Sequence, residues 1–184
     1  MELTLYYAGP LKANADAKTK HELRQHFHRQ LKLLWEQEPL SSVRDLLQVD
    51  PTGKKTSVII RRNKYNFAPL IGTILRTYAE VQIALLRPGP PGSILASGGD
   101  IDNRLKTLFD SLKVPEANAL PADALPQSEE DPFFCLLEDD KLIQAVSVST
   151  DQLLEPSLGP IDVVILLHVK TRVSGLSWVN SVFV

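Results

Sequence analysis

The chain lacks the features that mark secreted and membrane proteins. Its 184 residues include one cysteine, Cys135, so no internal disulfide can form and the sequence suits a reducing compartment. No charged segment followed by an apolar run opens the sequence, which predicts a protein without a signal peptide. The longest apolar run, VVILLHV at 163–169, is too short to cross a bilayer and contains a histidine. We therefore expect a cytoplasmic protein that does not enter membranes.

The chain has little net charge, but the charge is unevenly distributed. The total is −2, whereas residues 1–112 carry a net +5 and residues 113–162 a net −9. A basic body beside an acidic segment can bind a polyanion on one side and cations on the other. The simpler interpretation is that acidic loops keep the protein soluble, and charge alone favours it.

Hydrophobic periodicity predicts one domain over residues 1–184. The strongest prediction is a helix over TKHELRQHFHRQLKLLWEQ, residues 19–37, in which Thr19 is the expected cap. A second helix is predicted after residue 100, with an apolar stripe on one face and polar residues on the other. Strands are predicted in ELTLYYAG, TSVII, YAEVQIALLRP, EDDKLIQAVSVST and PIDVVILLHVKT, the last as a central strand.

Residues 113–137 are predicted to form an acidic, proline-rich insertion. They contain four prolines and several acidic residues, which is typical of a loop.

Two basic segments are candidates for a nucleic-acid surface. One is the outer face of the first helix and the other follows a strand, where cations alternate with Tyr65 and Phe67. A solvated helix face and a strand end with buried aromatics would give the same patterns. The candidate DNA-binding residues are Lys20, Arg24, His28 and Lys32 on the helix, and Arg61, Arg62 and Lys64 after the strand.

Acidic residues converge on the start of the second helix. Asp100 and Asp102 stand one residue apart, and Lys106 follows Asp102 by one helical turn. Two neighbouring carboxylates repel unless a cation lies between them, and Mg²⁺ prefers carboxylate oxygens. Asp139 and Asp140 precede a later strand and can bring a third carboxylate to the site.

Each of these residues also has a purely structural interpretation. Asp102 can cap the helix or form a surface ion pair with Lys106, and Asp139 and Asp140 can shape a turn. For each residue considered alone, the structural interpretation is favoured. The pattern as a whole is more specific than its parts.

The segments DIDNRLKTLFDSL and EDDKLIQAV resemble the RusA family of endodeoxyribonucleases, which resolve four-way (Holliday) DNA junctions. That family shows D-x-D-N-x-x-K, a helix ending in Asp-(Ala/Ser)-Leu, and then a D-D pair before a strand. The matching positions here are Asp100, Asp102, Asn103, Lys106, Asp110, Ser111, Leu112, Asp139 and Asp140. The resemblance is confined to residues 100–112 and 138–146.

The resemblance implies an α/β (α+β) fold, with a mixed β-sheet flanked by helices, and a homodimer that cuts opposed strands. It also implies that Asp100, Asp102 and Asp140 bind Mg²⁺ or Mn²⁺, and that Lys106 is the catalytic lysine. The expected function is a Mg²⁺-dependent endodeoxyribonuclease for branched DNA, in which a metal-activated water attacks the phosphodiester. The chain departs from the family in its length, its acidic insertion and its mildly acidic total charge.

The alternative is a non-catalytic DNA-binding or partner-binding protein that retains the fold. In that case the acidic insertion would be a docking segment or a guard over the DNA groove.

Overall fold

The structure is a computed structural model that describes residues 1–49, 56–88, 101–154 and 162–183. Asp100, one of the predicted metal ligands, lies outside the described residues. No helix in these ranges is long and apolar enough to span a membrane.

A mixed four-stranded sheet forms the centre of the fold. Its strands are β1 (Glu2–Pro10), β4 (Thr77–Arg87), β6 (Ile143–Gln152) and β7 (Asp162–Val173), in the spatial order β1-β7-β4-β6. The β1–β7 and β7–β4 pairs are antiparallel, and β4–β6 is parallel. The prediction that PIDVVILLHVKT is a central strand is therefore confirmed, and β6 is an edge strand.

A smaller mixed sheet contains β2 (Ile60–Arg62), β3 (Tyr65–Ile71) and β5 (Phe133–Leu137), in the order β2-β3-β5. β3 and β5 are parallel to each other, and every residue of β5 is buried. The predicted insertion at 113–137 therefore ends in a strand, because FFCLL is apolar on both faces and packs inside the fold.

The helix α1 (Ala17–Trp35) lies across the core. Leu23, Phe27, Leu31 and Trp35 are buried, and burial of a side chain of this size stabilises the fold by about 1.5–3 kcal/mol. Asp16 caps the helix, because its Oδ1 accepts the Thr19 N–H at 2.7 Å. The prediction of Thr19 as the cap is wrong: the helix begins two residues earlier, where a carboxylate can meet the positive end of the helix dipole.

The helix α2 (Ile101–Leu112) carries the predicted catalytic motif. Leu108 and Leu112 of its apolar stripe are buried, and Leu105 and Phe109 are partly buried against the same core. The helix therefore ends close to where the apolar periodicity predicts.

Candidate active site

The first turns of α2 present an acid and a lysine to solvent. Asp102 and Lys106 are both exposed, and Asp102 accepts the N–H of Asn103, at 2.9 Å. Within the described ranges neither residue forms a salt bridge, so the predicted surface pair between them is absent. Both side chains are available to a ligand.

Buried contacts hold this end of α2 against the end of β1. Arg104 is buried and donates from Nη1 to the Leu11 carbonyl at 2.7 Å. One turn later, Thr107 Oγ1 accepts the Ala15 N–H at 3.3 Å. Burial, and secondarily the charge of Arg87, lowers the pKa of the Arg104 guanidinium. These contacts fix the direction of the helix and therefore the positions of Asp102 and Lys106.

The opposite end of α2 carries a network of four charges. Asp110 accepts from Lys20 Nζ at 2.8 Å and lies 3.4 Å from Lys113 Nζ, which donates to Asp140 Oδ2 at 2.6 Å. Burial alone would raise the pKa of the Asp110 carboxyl, but Lys20 and Lys113 hold it below its usual value. Burial opposes the charge on Lys113, yet the hydrogen bond to Asp140 raises its pKa. Asp140 is therefore partnered by a lysine within the chain.

Asp139 shapes the turn before β6. Its Oδ1 accepts the Lys141 N–H at 3.0 Å, and this backbone hydrogen bond lowers the pKa of its carboxyl. The structural interpretation of this aspartate as a turn residue agrees with the geometry.

No contact among the described residues joins Asp102 to Asp140. They lie at opposite ends of α2, and the rise from residue 102 to residue 113 along a helix is about 16 Å. Two ligands of one Mg²⁺ must lie within about 4 Å of each other, since each bond is about 2 Å long. Among the described residues, no group of three or more His, Cys, Asp or Glu side chains is arranged to hold a metal ion.

Arg24 is part of the interior and does not face solvent as a DNA-binding residue would. It is 2% exposed and donates from Nη2 to the Asp110 carbonyl at 2.8 Å and from Nε to the Lys113 carbonyl at 3.4 Å. These carbonyls lie at the C-terminal end of α2, where a helix leaves acceptors unpaired and its dipole is negative. The prediction that Arg24 binds DNA is therefore wrong, because the residue joins α1 to α2.

His28 is likewise buried, at 3% exposure, and does not lie on a DNA-facing surface. Its Nδ1 accepts the Phe134 N–H at 2.9 Å, which leaves the proton on Nε2, within 3.2 Å of the Glu129 carbonyl. Burial lowers the pKa of the imidazole, so the neutral form is favoured in the folded protein. The sequence prediction fails here because helical periodicity does not reveal what a polar face packs against.

The rest of the basic face of α1 is also occupied. Lys20 binds Asp110, and Lys32 Nζ donates to the Glu129 carbonyl at 3.2 Å. Gln25 Nε2 donates to Glu130 Oε1 at 2.8 Å, so the acidic turn at 128–130 packs on this face. Part of the predicted DNA surface is therefore covered by the acidic insertion.

The second predicted basic segment remains accessible. Arg61 and Lys64 are exposed and Arg62 is half-buried, around the turn that joins β2 to β3. Asn63 in this turn has a φ of 50°, which asparagine tolerates better than most residues. Tyr65 and Phe67 are buried, so their rings are packing residues and do not form a stacking platform for bases.

Sequence reasoning missed Lys113, the cation that partners Asp140. The available signal was its position three residues after Asp110, a spacing that brings side chains together on a helix.

Comparison of the chain with models of protein families, with curated proteins and with solved structures finds no match in any of the three.

Proposed function

We propose that this chain is a Mg²⁺-dependent endodeoxyribonuclease that cuts branched DNA such as four-way junctions. The observation that carries the proposal is the pair of exposed side chains of Asp102 and Lys106, one turn apart at the start of α2, which form no salt bridge within the described residues. Lys20 and Lys113, at the other end of the helix, are both engaged in salt bridges. A carboxylate and a lysine left exposed within a D-x-D-N-x-x-K motif support a role in binding and chemistry.

The described residues fit a metal ion only in part. Asp102 accepts the Asn103 N–H at Oδ1 and can offer Oδ2 to a cation, whereas Asp140 of the same chain is held by Lys113 near the other end of α2. A bound Mg²⁺ would supply Lewis acidity and an activated water. In this proposal Asp102 binds the cation and Lys106 stabilises negative charge that develops on the phosphate.

The accessible basic hairpin is the proposed DNA contact. Arg61 and Lys64 can bind phosphates of the DNA backbone, which position the substrate without reading its sequence. The proposal predicts that binding weakens steeply as salt concentration rises, because each phosphate contact releases counterions.

Cleavage of a labelled four-way junction in Mg²⁺ tests the proposal. Asp102→Asn and Lys106→Met should each lower the single-turnover cleavage rate at least about a hundredfold while the unfolding temperature stays unchanged. Asp123→Asn and Lys18→Met alter exposed residues that form no salt bridge among the described residues, and they serve as matched controls. Full cleavage by purified Asp102→Asn protein would refute the assignment.

A second candidate is a binding protein without nuclease activity. The observations that favour it are the ion pair between Lys113 and Asp140 and the acidic turn that covers the basic face of α1. This candidate predicts junction binding without cleavage in Mg²⁺ and in Mn²⁺. It also predicts that Asp102→Asn leaves every measured property of the complex unchanged.

A further inference from the structure

Two arginines are buried close to each other in this fold. Arg104 of α2 is 5% exposed, and Arg87, the last residue of β4, is 8% exposed. After burial, the charge of Arg87 is the second cause of the lowered pKa of the Arg104 guanidinium, so the two cations are near neighbours. Two like charges at a buried position are costly unless an anion compensates them.

The guanidinium of Arg87 is not fully satisfied by the fold. Its Nη1 is buried and has no hydrogen-bond partner among the described residues, which also place no carboxylate within salt-bridge distance of it. Arg24 is buried to a similar extent, but it donates to two carbonyls. Because a buried charged donor without an acceptor is unfavourable, the contacts of the described residues do not account for the burial of Arg87.

Both arginines lie at one edge of the large sheet. The strands β1, β4 and β6 are parallel, so their carboxyl ends share this edge, and Arg104 Nη1 donates to the Leu11 carbonyl just beyond β1. Alternation places Arg87 on the same face as the buried Leu85. Its register partner is Gln152, an exposed residue at the end of the edge strand β6. The two cations therefore lie at the margin of the core, where α2 begins.

The carboxylates near this edge do not neutralise Arg87. Asp102 and Arg104 are two residues apart on α2, so their side chains point about 200° apart around the helix. Asp151 of β6 and Asp162 of β7 are each one residue out of register with Arg87, which puts them on the opposite face of the sheet. The helix-covered side of this edge therefore keeps an excess of positive charge.

We propose that Arg87 and Arg104 form a binding site for a phosphate monoester dianion, either as the free ion or as the terminal phosphate of a nucleic acid. The group would lie between the two guanidinium groups and accept a hydrogen bond from Arg87 Nη1.

The charge and the shape of this edge favour that ligand over other anions. A phosphate monoester carries a charge of about −1.5 to −2 at pH 7, which matches two guanidinium groups, and its oxygens fit the guanidinium fork. A carboxylate or a phosphodiester carries a single negative charge. A phosphodiester also continues as a chain on both sides, whereas a recess lined by buried side chains admits a terminal group. The positive end of the α2 dipole adds to the attraction.

The dependence of the unfolding temperature on phosphate concentration tests the site without any cleavage. The buffer contains EDTA, so that phosphate cannot bind through a metal ion at Asp102, and chloride keeps the ionic strength constant. The wild type should gain about 3–5 °C for each tenfold increase in inorganic phosphate above its Kd. Arg87→Met should lose this gain, and Arg29→Met, which alters an exposed arginine of α1, should retain it. Calorimetric titration should give one phosphate per chain and at least tenfold weaker binding in Arg87→Met.

The stability of Arg87→Met without phosphate distinguishes a ligand-binding arginine from a structural one. Removal of a buried charge that lacks a partner should leave the unfolding temperature equal to that of the wild type or higher. Arg24→Met provides the contrast, because its arginine is bonded within the fold. An Arg87→Met protein that unfolds well below the wild type or fails to fold would overturn the proposal. A wild type that does not respond to phosphate, or an equal response in Arg87→Met, would also overturn it.

Competition experiments identify the source of the phosphate group. A short DNA strand with a 5′-phosphate and the same strand without it are each added to the protein with bound inorganic phosphate. Displacement by the phosphorylated strand alone assigns the site to a DNA end, and displacement by neither strand assigns it to the free ion. Equal displacement by both strands would overturn the preference for a monoester. Because these measurements need no cleavage, a protein that never cuts DNA would refute the proposed function and leave the phosphate site confirmed.

Discussion

Arg24→Met is expected to destabilise the fold, and the reason distinguishes a structural arginine from a DNA-binding one. The guanidinium joins α1 to two carbonyls at the end of α2 and is almost fully buried. Methionine retains much of the apolar contact of the arginine stem but donates no hydrogen bond.

The size of the expected loss of stability follows from the two carbonyls that are left without a donor. A buried carbonyl that loses its donor costs about 1–3 kcal/mol, and two carbonyls are affected. Removal of a buried charge returns part of this loss, because the charge no longer has to be desolvated. We expect a net loss of about 2–4 kcal/mol, which lowers the unfolding temperature of a chain of this size by roughly 5–15 °C.

Thermal unfolding of Arg24→Met beside Arg29→Met measures this loss. Arg29 is a more accessible arginine of the same helix, and its replacement should change the unfolding temperature by no more than about 2 °C. Junction binding per folded molecule should be unchanged in Arg24→Met below its unfolding temperature. The reasoning is refuted if Arg24→Met unfolds like the wild type and yet loses affinity for DNA.

Three further predictions concern stability. The pKa of His28 lies below its unfolded value of 6.5, so its contribution to the stability of the fold is full above about pH 6.5 and is lost as pH falls through the folded pKa. The unfolding temperatures measured at pH 7.5 and 5.5 should therefore differ less in His28→Gln than in the wild type. An equal difference in the two proteins would contradict this prediction. Asp16→Ala should lower the free energy of unfolding by about 1 kcal/mol through loss of the helix cap, whereas Thr19→Ala should lower it little in the same chemical denaturation experiment. A larger loss in Thr19→Ala than in Asp16→Ala would restore Thr19 as the cap. Lys113→Met should cost about 1–2 kcal/mol, because its partly buried ammonium contacts two carboxylates, whereas Lys141→Met removes only an exposed pair and should be near neutral. Equal losses of stability in the two variants would show that the network around Lys113 adds no stability.

Local sequence patterns predict much of this fold. The first helix and the strands that became β1, β4 and β7 follow from period 3.6 and period 2, because each of these elements buries one face. The strand β6 has no buried residue. The central position of β7 follows from its nearly continuous apolar run. The strand β5 is harder to predict, because FFCLL is short and lies among prolines and acidic residues.

Tertiary contacts between polar groups are what the sequence does not reveal. Arg24 and His28 recur on a polar helix face, which is ordinarily solvated, and only the packing of α2 and of the 128–130 turn makes them interior. The convergence of Asp102 with Asp140 is expected from a motif, yet the distance between them depends on the direction of α2. That direction is set by Arg104 and Thr107, residues that no pattern singles out.

The central claim is that Asp102 holds a divalent cation, and the dependence of the unfolding temperature on Mg²⁺ concentration tests it most directly. A site that binds only in the folded state should stabilise the wild type by about 2.7 kcal/mol when Mg²⁺ reaches a hundred times its Kd. Asp102→Asn should abolish this stabilisation and Asp123→Asn should retain it. An Asp102→Asn protein that Mg²⁺ stabilises as strongly as the wild type would contradict the account.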